Sequence, residues 1–366
     1  MRDAIGASRF FNDFRARSLR AITLLPGVAN SARLEDVPEP PPSDGSILVR
    51  TLALGVCGTD REIVSGEYGE APPGQERLIL GHESFGVVEE ASTASGFAPG
   101  DHVVGIVRRP DPVPCPACAM GEWDMCRNGR YTERGIKERH GYGAERFRIE
   151  PDFAVKVDPA LGPLGVLLEP ASVVAKAWDH TERIGRRSRS WGPKTLAVTG
   201  AGPIGLLAAL FGALRGLDVH VINRHADGPK ARLIHDLGAT HHTDLADIDR
   251  LKPDIVMECT GATSVVRDLL GRTGANGIVC LLSVTAPKIM EVDVGALNRT
   301  LVLDNDAVFG SVNANREHYE MAAQTLARAD KEWLGGLITR RVPLGRWAEA
   351  LESRPDDIKV VIDFTL

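Results

Sequence analysis

The segment "TLAVTGAGPIGLLAALFGAL" limits the fold more than any other part of the chain. A short apolar run precedes Gly200, Gly202 and Gly205, and a longer apolar stretch follows them. A strand that turns into a helix at this glycine pattern is typical of a βαβ unit that binds a dinucleotide. The first glycine permits the tight turn, the second lets backbone approach a pyrophosphate, and the third allows close helix–strand packing. A βα turn that needs glycine only for its backbone is the alternative, but the flanking strand and helix favour the cofactor site.

The residues after the second strand, "LDVHVI", indicate which dinucleotide binds. An NAD site usually places an acid there, and this chain has Asn223, Arg224 and His225 instead. Asn223 can donate to a 2′-phosphate and Arg224 can pair with one, although a solvated arginine would give the same sequence. We therefore predict NADP as the cofactor, with NAD as a second candidate. The predicted cofactor-binding residues are Gly200, Gly202, Pro203, Ile204, Gly205, Asn223, Arg224 and His225.

The pattern of the chain changes near residue 160. Before it, short strands alternate with Gly/Pro turns, as in a β-rich, barrel-like domain. After it, apolar runs such as "PDIVMEC" and "LVLDNDAVFG" alternate with helical stretches, which indicates a doubly wound parallel sheet. The tail holds a helix, "NREHYEMAAQTLARA", and a strand, "IKVVIDFTL". We predict an α/β fold with a β-rich domain over 1–189, of which 1–18 is an N-terminal extension, a Rossmann domain over 190–309, and a return segment over 310–366.

Composition narrows the function classes. A chain of 366 residues is long enough for two domains with ample cores. The net charge of −6 gives no reason to expect nucleic acid or anionic membranes as partners. No apolar run approaches the roughly 20 residues that cross a bilayer, so we predict a cytoplasmic protein. The six cysteines then argue against a disulfide framework.

Four residues form a candidate metal site. Cys57 lies in the turn "GVCGTD", His82 and Glu83 follow in "GHE", and Glu169 lies in "LLEPAS". Each has an ordinary explanation alone, as a buried thiol, a turn histidine or a helix-terminal acid. Together they supply one thiolate, one imidazole and carboxylates, which suits a catalytic zinc with an open position. A cation would also explain two ionisable residues at the centre of the apolar "LILGHESFGVV".

A resemblance to a known family covers nearly everything from residue 18 onward. The motifs "GVCGTDREIVSGEYG", "LILGHESFGVVEE", "ERGIKERHGYGAERF", "LLEPASVVAKA", "GAGPIGLL" and "GSVNANREHYEMA" occur in the same order in the medium-chain zinc-dependent dehydrogenases. The chain is most similar to the archaeal-type glucose 1-dehydrogenases. The resemblance implies a GroES-like catalytic domain, completed by the return segment, and a Rossmann domain. It also implies oxidation of β-D-glucose to gluconolactone with NADP or NAD.

The same resemblance implies roles for individual residues. Cys57, His82 and Glu169 would bind zinc, and Glu83 would lie beside the metal and could exchange with another ligand or water. The predicted catalytic residues are Cys57, Thr59, His82, Glu83 and Glu169. The sugar pocket would be lined by Thr59, Glu133, Glu169 and Asn313. By this resemblance Thr59 would orient or relay the proton of the anomeric hydroxyl. Glu133 and Asn313 would form hydrogen bonds with the remaining sugar hydroxyls and so select the correct epimer.

The segment "PDPVPCPACAMGEWDMC" departs from the family pattern. It holds Cys115, Cys118 and Cys126, whereas many relatives have four cysteines there and bind a structural zinc. The missing position falls near Asp111, whose carboxylate can bind zinc. We predict a structural zinc with Asp111 as the fourth ligand. The alternative is a lobe with free thiols and no metal.

Two other functions remain open at this point. One is a zinc dehydrogenase for another aldose or a polyol, in which only the pocket differs. The other is a zinc-free NADPH-binding reductase or sensor, a class that lacks the Cys57, His82 and Glu169 set. The predicted partners are a small sugar and a second copy of the chain, in a homodimer or homotetramer.

Overall fold

The structure, a computed structural model, describes residues 18–285 and 287–366. The predicted extension over 1–18 therefore lies outside the described residues, except for Ser18, which begins the first strand.

The first half of the described chain is rich in short strands. They are β1 (Ser18–Leu24), β2 (Arg33–Pro38), β3 (Ile47–Val56), β4 (Leu78–Ile79), β5 (Glu83–Glu90), β6 (His102–Gly105), β7 (Arg108–Arg109), β8 (Thr132–Arg134), β9 (Glu138–Arg139), β10 (Arg146–Ile149) and β11 (Ala154–Lys156). Helices α1 (Gly58–Ser65) and α2 (Pro116–Ala119) interrupt them. A 3₁₀ segment, Pro159–Leu167, then leads into the long helix α3 (Leu168–Gly185).

The second half alternates strands and helices. Its elements are β12 (Thr195–Thr199), α4 (Pro203–Ala213), β13 (Asp218–Ile222), α5 (Pro229–Asp236), β14 (Thr240–His242), α6 (Asp247–Leu251), β15 (Ile255–Glu258), α7 (Thr263–Leu269), β16 (Ile278–Leu281), α8 (Val294–Asp304) and β17 (Ala307–Gly310). The six strands form one parallel sheet in the order β14-β13-β12-β15-β16-β17. This is the doubly wound strand order of a Rossmann domain, so the predicted doubly wound parallel sheet is confirmed.

The tail returns to the first half. Its elements are α9 (Arg316–Arg328), α10 (Lys331–Leu337), β18 (Ile338–Pro343), α11 (Ala348–Leu351) and β19 (Lys359–Asp363). Strand β19 pairs with β3, which extends the mixed sheet to β11-β6-β5-β3-β19-β18, with β10 also on β3. Two small sheets, β2-β1-β4 and β7-β8-β9, flank it.

One stretch of the described chain, Pro159–Gly185, is long and apolar enough to cross a membrane by length and composition. The apolar runs of the sequence predicted no such stretch. Its most apolar window is 67% buried inside the fold, and α3 packs on α4 and α9. The stretch is explained as a core helix.

Candidate active site

Cys57 and His82 come together although 25 residues separate them. Cys57 caps the N-terminus of α1, and its Sγ lies 3.2 Å from Nε2 of His82, which directly precedes β5. The potential ligand atoms of Cys57, His82 and Glu83 all lie within 4.8 Å of one another. The three side chains are thus close enough to contact one ion.

Asp60, which the sequence analysis did not single out, supports this pair. Its Oδ2 accepts the backbone N–H of Cys57 at 2.9 Å, as the third residue of a capped helix does. Its Oδ1 lies 3.4 Å from Nδ1 of His82, and neither atom has a hydrogen-bond partner elsewhere in the described ranges. A carboxylate behind a histidine is the usual support of a metal-binding imidazole. An acid three residues after Cys57 is the signal that could have identified it.

Lys359 is the second residue that sequence reasoning missed. Its Nζ donates to both carboxylate oxygens of Glu83, at 2.6 and 2.7 Å, and both side chains are buried. Gly55 lies opposite Glu83 in the β3–β5 pair, where a Cβ would come within 2.0 Å of Oε2 of Glu83. The glycine therefore leaves room for the carboxylate. A single lysine in the apolar run "IKVVIDF" is the signal, because a buried ammonium needs a partner.

Acidic side chains surround Cys57 and His82. Burial would lower the pKa of His82, but the charges of Cys57 and Asp60 outweigh it and hold that pKa well above its ordinary value. Burial and the nearby Glu83 carboxylate raise the pKa of Glu169, in the first turn of α3, to about 7. Several buried acids thus face one lysine. Thiolate, imidazole and carboxylate donors with excess negative charge fit a divalent cation such as zinc.

Glu169 and Thr59 have separate positions. Glu169 is buried but is not one of the three residues whose ligand atoms all approach within 4.8 Å. Thr59 lies in the first turn of α1, half-buried, and its hydroxyl makes no hydrogen bond to any residue that the structure describes. The metal and proton-relay roles of these two residues stay predictions.

Glu133 and Asn313, predicted to read the sugar from distant segments, are in contact. Asn313 Nδ2 donates to Oε1 of Glu133 at 2.8 Å across 180 residues of sequence. The same oxygen accepts from Nε of Arg108 at 3.0 Å, and that guanidinium lies 3.7 Å above the ring centre of Tyr131. Within the described part of the chain, Oε2 of Glu133 accepts no hydrogen bond. It is the oxygen left for a ligand hydroxyl.

The segment 110–126, called the cysteine-rich lobe below, brings its three thiols together. The ligand atoms of Cys115, Cys118 and Cys126 lie within 4.8 Å of one another. Backbone N–H donors, that of Arg127 first, lower the pKa of Cys115 to about 6, whereas burial raises the pKa of Cys118 to about 11. Three clustered thiols fit a structural zinc.

The structure does not bring the carboxylate of Asp111 into this thiol group. Its Oδ2 accepts from Asn128 at 2.8 Å and from Arg130 at 3.1 Å, and its Oδ1 accepts the N–H of Val113 at 2.8 Å. Through these hydrogen bonds the carboxylate of Asp111 stabilises the surrounding loop. Asp111 as the fourth ligand of a structural zinc stays a prediction.

The glycine-rich loop has the shape that a dinucleotide needs. Gly200 follows β12 with a φ of 88°, and a Cβ on Gly205 would come within 1.9 Å of the Gly200 carbonyl oxygen. Gly202 caps α4, which begins with Pro203 and Ile204, and a Cβ on Gly202 would meet no described atom within 4 Å. The open side of this turn and the free N–H groups of the helix fit a pyrophosphate.

The residues after β13 are also open to a ligand. Arg224 and His225 are exposed, and Arg224 forms no hydrogen bond or ion pair with any described residue. Asn223 donates through Nδ2 to the carbonyl oxygen of His225 at 3.0 Å, which closes the turn. The side chain of Arg224 is therefore free to pair with a phosphate at the edge of the sheet.

Comparisons with known proteins match both halves of the chain. The GroES-like domain of alcohol dehydrogenases matches residues 43–159, and the family described as glucose dehydrogenase C-terminus matches residues 162–364. The GroES-like part of the fold prediction is thereby confirmed.

Similar proteins span almost the whole chain. Glucose 1-dehydrogenase 2 of Vulcanisaeta moutnovskia is 40% identical over 350 residues, covering 94% of this chain and 99% of the relative. The glucose 1-dehydrogenase of Methanocella arvoryzae is 40% identical over 357 residues with the same coverage. The solved structure of Haloferax mediterranei glucose dehydrogenase, in complex with NADP, Zn and gluconolactone, has a TM-score of 0.87 and 33% identity. That match covers 95% of this chain and 99% of the solved one.

Proposed function

Because the chain belongs to the glucose 1-dehydrogenases of the medium-chain zinc-dependent dehydrogenases, we propose that it oxidises the anomeric hydroxyl of an aldose. The substrate is D-glucose, the product is gluconolactone, and NADP accepts the hydride. The observation that carries this proposal is the approach of Cys57, His82 and Glu83 within 4.8 Å. The Haloferax relative, bound to NADP, Zn and gluconolactone, supports the choice of substrate and cofactor.

The candidate metal residues have distinct tasks. Cys57, His82 and Glu169 would hold zinc, which when bound supplies a Lewis acid that lowers the pKa of the sugar hydroxyl. Asp60 orients the His82 ring through Nδ1. Lys359 donates to both carboxylate oxygens of Glu83, so its ammonium competes with a metal ion for that carboxylate.

Proton and hydride leave the sugar by different routes. The half-buried hydroxyl of Thr59, without a partner among the residues described, would orient the anomeric hydroxyl and relay its proton to solvent water. Bound NADP would accept the hydride from C1, because that chemistry belongs to the cofactor. The protein's task is to hold C1 against the nicotinamide, with Glu133 and Asn313 contacting the hydroxyls farther along the ring.

Replacing Arg224 by leucine is expected to raise the KM for NADP by about ten- to hundredfold and the KM for NAD much less. The reason is that the unpaired guanidinium would form charge-assisted hydrogen bonds only with the 2′-phosphate. Steady-state kinetics with both cofactors measure this. Arg189→Leu, at another exposed arginine, is the matched control and should change neither value. Equal losses for NADP and NAD would show that Arg224 does not meet the phosphate.

Replacing Glu133 by glutamine is expected to lower kcat/KM for glucose by about ten- to hundredfold while the affinity for NADP stays nearly unchanged. The free Oε2 would become an amide nitrogen that cannot accept a hydroxyl proton, or would exchange places with the oxygen that Arg108 and Asn313 use. The loss should be smaller for an aldose that lacks the hydroxyl read by Glu133. Glu138→Gln, at an exposed residue of the neighbouring strand β9, is the control. A uniform loss for all aldoses would remove the sugar-reading role.

One experiment tests the whole proposal. Zinc content is measured first, and then steady-state rates with a panel of aldoses and polyols, each with NADP and NAD. Turnover of a polyol or another aldose in preference to glucose would favour the alternative zinc dehydrogenase. Turnover without zinc would favour the zinc-free NADPH-binding class, against which the Cys57–His82 contact argues.

We also propose a cytoplasmic homodimer or homotetramer. The last turn of helix α8 carries the exposed apolar side chains of Val302 and Leu303, which suit a contact between subunits. Light scattering of the full chain measures the assembly.

A further inference from the structure

We propose that Lys176 is a positioning residue that fixes Glu133 and Asn313 relative to each other for sugar recognition. This inference rests on the proposed function, because it concerns how that sugar pocket keeps its shape. Lys176 has an exposed fraction of 2%, so it acts through other residues and does not touch the substrate.

Lys176 joins two segments that are far apart in the sequence. Its Nζ lies 2.7 Å from Oδ2 of Asp124, which belongs to the cysteine-rich lobe and whose side chain is fully buried. The same Nζ donates to the carbonyl oxygen of Val312 at 2.9 Å. Val312 is the residue before Asn313, at the start of the return segment. One ammonium group thus holds both the lobe and the return segment against α3.

Each segment leads to one member of the sugar-reading pair. From Val312 the chain enters Asn313, which has a left-handed φ of 62° and donates to Oε1 of Glu133. From Asp124 the backbone carbonyl accepts Nη1 of Arg108 at 3.1 Å, and Arg108 donates to the same oxygen of Glu133. These contacts form a closed ring of residues. It runs from Lys176 through Asp124, Arg108, Glu133, Asn313 and Val312 and back to Lys176.

Lys176 is the cation that balances Asp124. His318 is the second basic side chain near Asp124. Its Nδ1 lies 4.0 Å from Oδ2 of Asp124, but that nitrogen accepts the N–H of Asn315 at 3.2 Å. Burial also lowers the pKa of His318, so the ring is neutral near pH 7. Arg108 contacts only the backbone carbonyl of Asp124, and its guanidinium forms an ion pair with Glu133.

The placement of Lys176 on α3 ties the sugar-reading pair to the candidate metal site. Glu169 lies in the first turn of the same helix, seven residues earlier, or about 10 Å along the axis. A buried ion pair is weak evidence for stability, because well-packed apolar residues are often as stable. The Lys176–Asp124 pair connects α3, the cysteine-rich lobe and the return segment, and so it fixes the relative positions of these three segments.

The test compares Lys176→Met, the double variant Lys176→Met/Asp124→Asn, and Lys156→Met. The single variant leaves Asp124 buried without a cation and can lose stability for that reason alone. The double variant removes both charges and should fold with a Tm close to that of the unchanged protein. Lys156→Met is the matched control, because it removes a lysine from an exposed ion pair with Asp101. Each protein is assayed with glucose, a set of its epimers and deoxy sugars, and NADP.

In the folded double variant we expect kcat/KM for glucose to fall roughly ten- to hundredfold, mainly through the KM for sugar. The preference among aldoses should flatten, and the KM for NADP should stay within about twofold. Unchanged sugar kinetics and preference would overturn the inference while leaving the proposed function intact. A parallel rise of both KM values, or failure of the double variant to fold, would show a general structural role and also overturn it. If the unchanged protein oxidises no sugar, the proposed function falls and the inference with it.

Discussion

Replacing His82 by alanine, or Cys57 by serine, is expected to lower kcat by about a thousandfold or more. The reason is that each change removes a donor from the Cys57–His82 pair, and a bound zinc contributes several kcal/mol to the chemical step. The Kd for NADP should change by no more than about threefold, because the glycine-rich loop lies between β12 and α4 in the other domain. Zinc analysis, NADP titration and steady-state rates on the same preparations measure the three effects.

The matched control for the thiol is Cys280→Ser. Cys280 is buried in β16 and is not one of the clustered thiols or metal-site residues, so this variant should keep both zinc and turnover. Full activity in His82→Ala protein that contains no zinc would overturn the metal assignment. Loss of NADP binding equal to the loss of turnover would show that the variants disturb the whole fold.

Replacing Lys359 by methionine is expected to lower the free energy of unfolding by about 3–5 kcal/mol. Lys359 and Glu83 have side-chain exposed fractions of 2% and 3%, and the lysine contacts both carboxylate oxygens. Removing only the ammonium leaves a buried carboxylate without its partner, which is the most costly way to break such a pair. Urea unfolding of the full chain, followed by fluorescence and circular dichroism, measures the change.

Two further variants separate charge from packing at this position. Lys359→Met/Glu83→Gln removes both charges and should recover most of the lost stability. Lys156→Met breaks an exposed ion pair and should cost no more than about 1 kcal/mol. A loss below about 1 kcal/mol for Lys359→Met would mean that Glu83 finds another partner or takes up a proton, and would contradict the structure of this site.

Local patterns were sufficient to predict several elements. The turn at Gly200–Gly205 is found between β12 and α4, and the helix predicted from "NREHYEMAAQTLARA" is α9, Arg316–Arg328. Both signals depend on residues within one or two helical turns of each other. The apolar run "LVLDNDAVFG", interpreted as part of the parallel-sheet pattern, divides between the end of α8 and β17. An apolar run of this length fits a helix end and a strand equally well, so periodicity could not separate them.

The residues themselves supplied the chemistry, and the tertiary structure decided which residues meet. A thiol, an imidazole and carboxylates in glycine-flanked turns identified the candidate metal site, because few other roles explain those groups in apolar segments. The partner of Glu83 could not be inferred in the same way, since Lys359 lies 276 residues away and meets it only when β19 pairs with β3. Asp111 was chosen as a fourth zinc ligand from its chemistry and position, and the fold also brings the donors of Asn128 and Arg130 to its Oδ2. A charge in a folded protein takes the partners that share its buried space, and chain folding brings those partners together from any distance in the sequence.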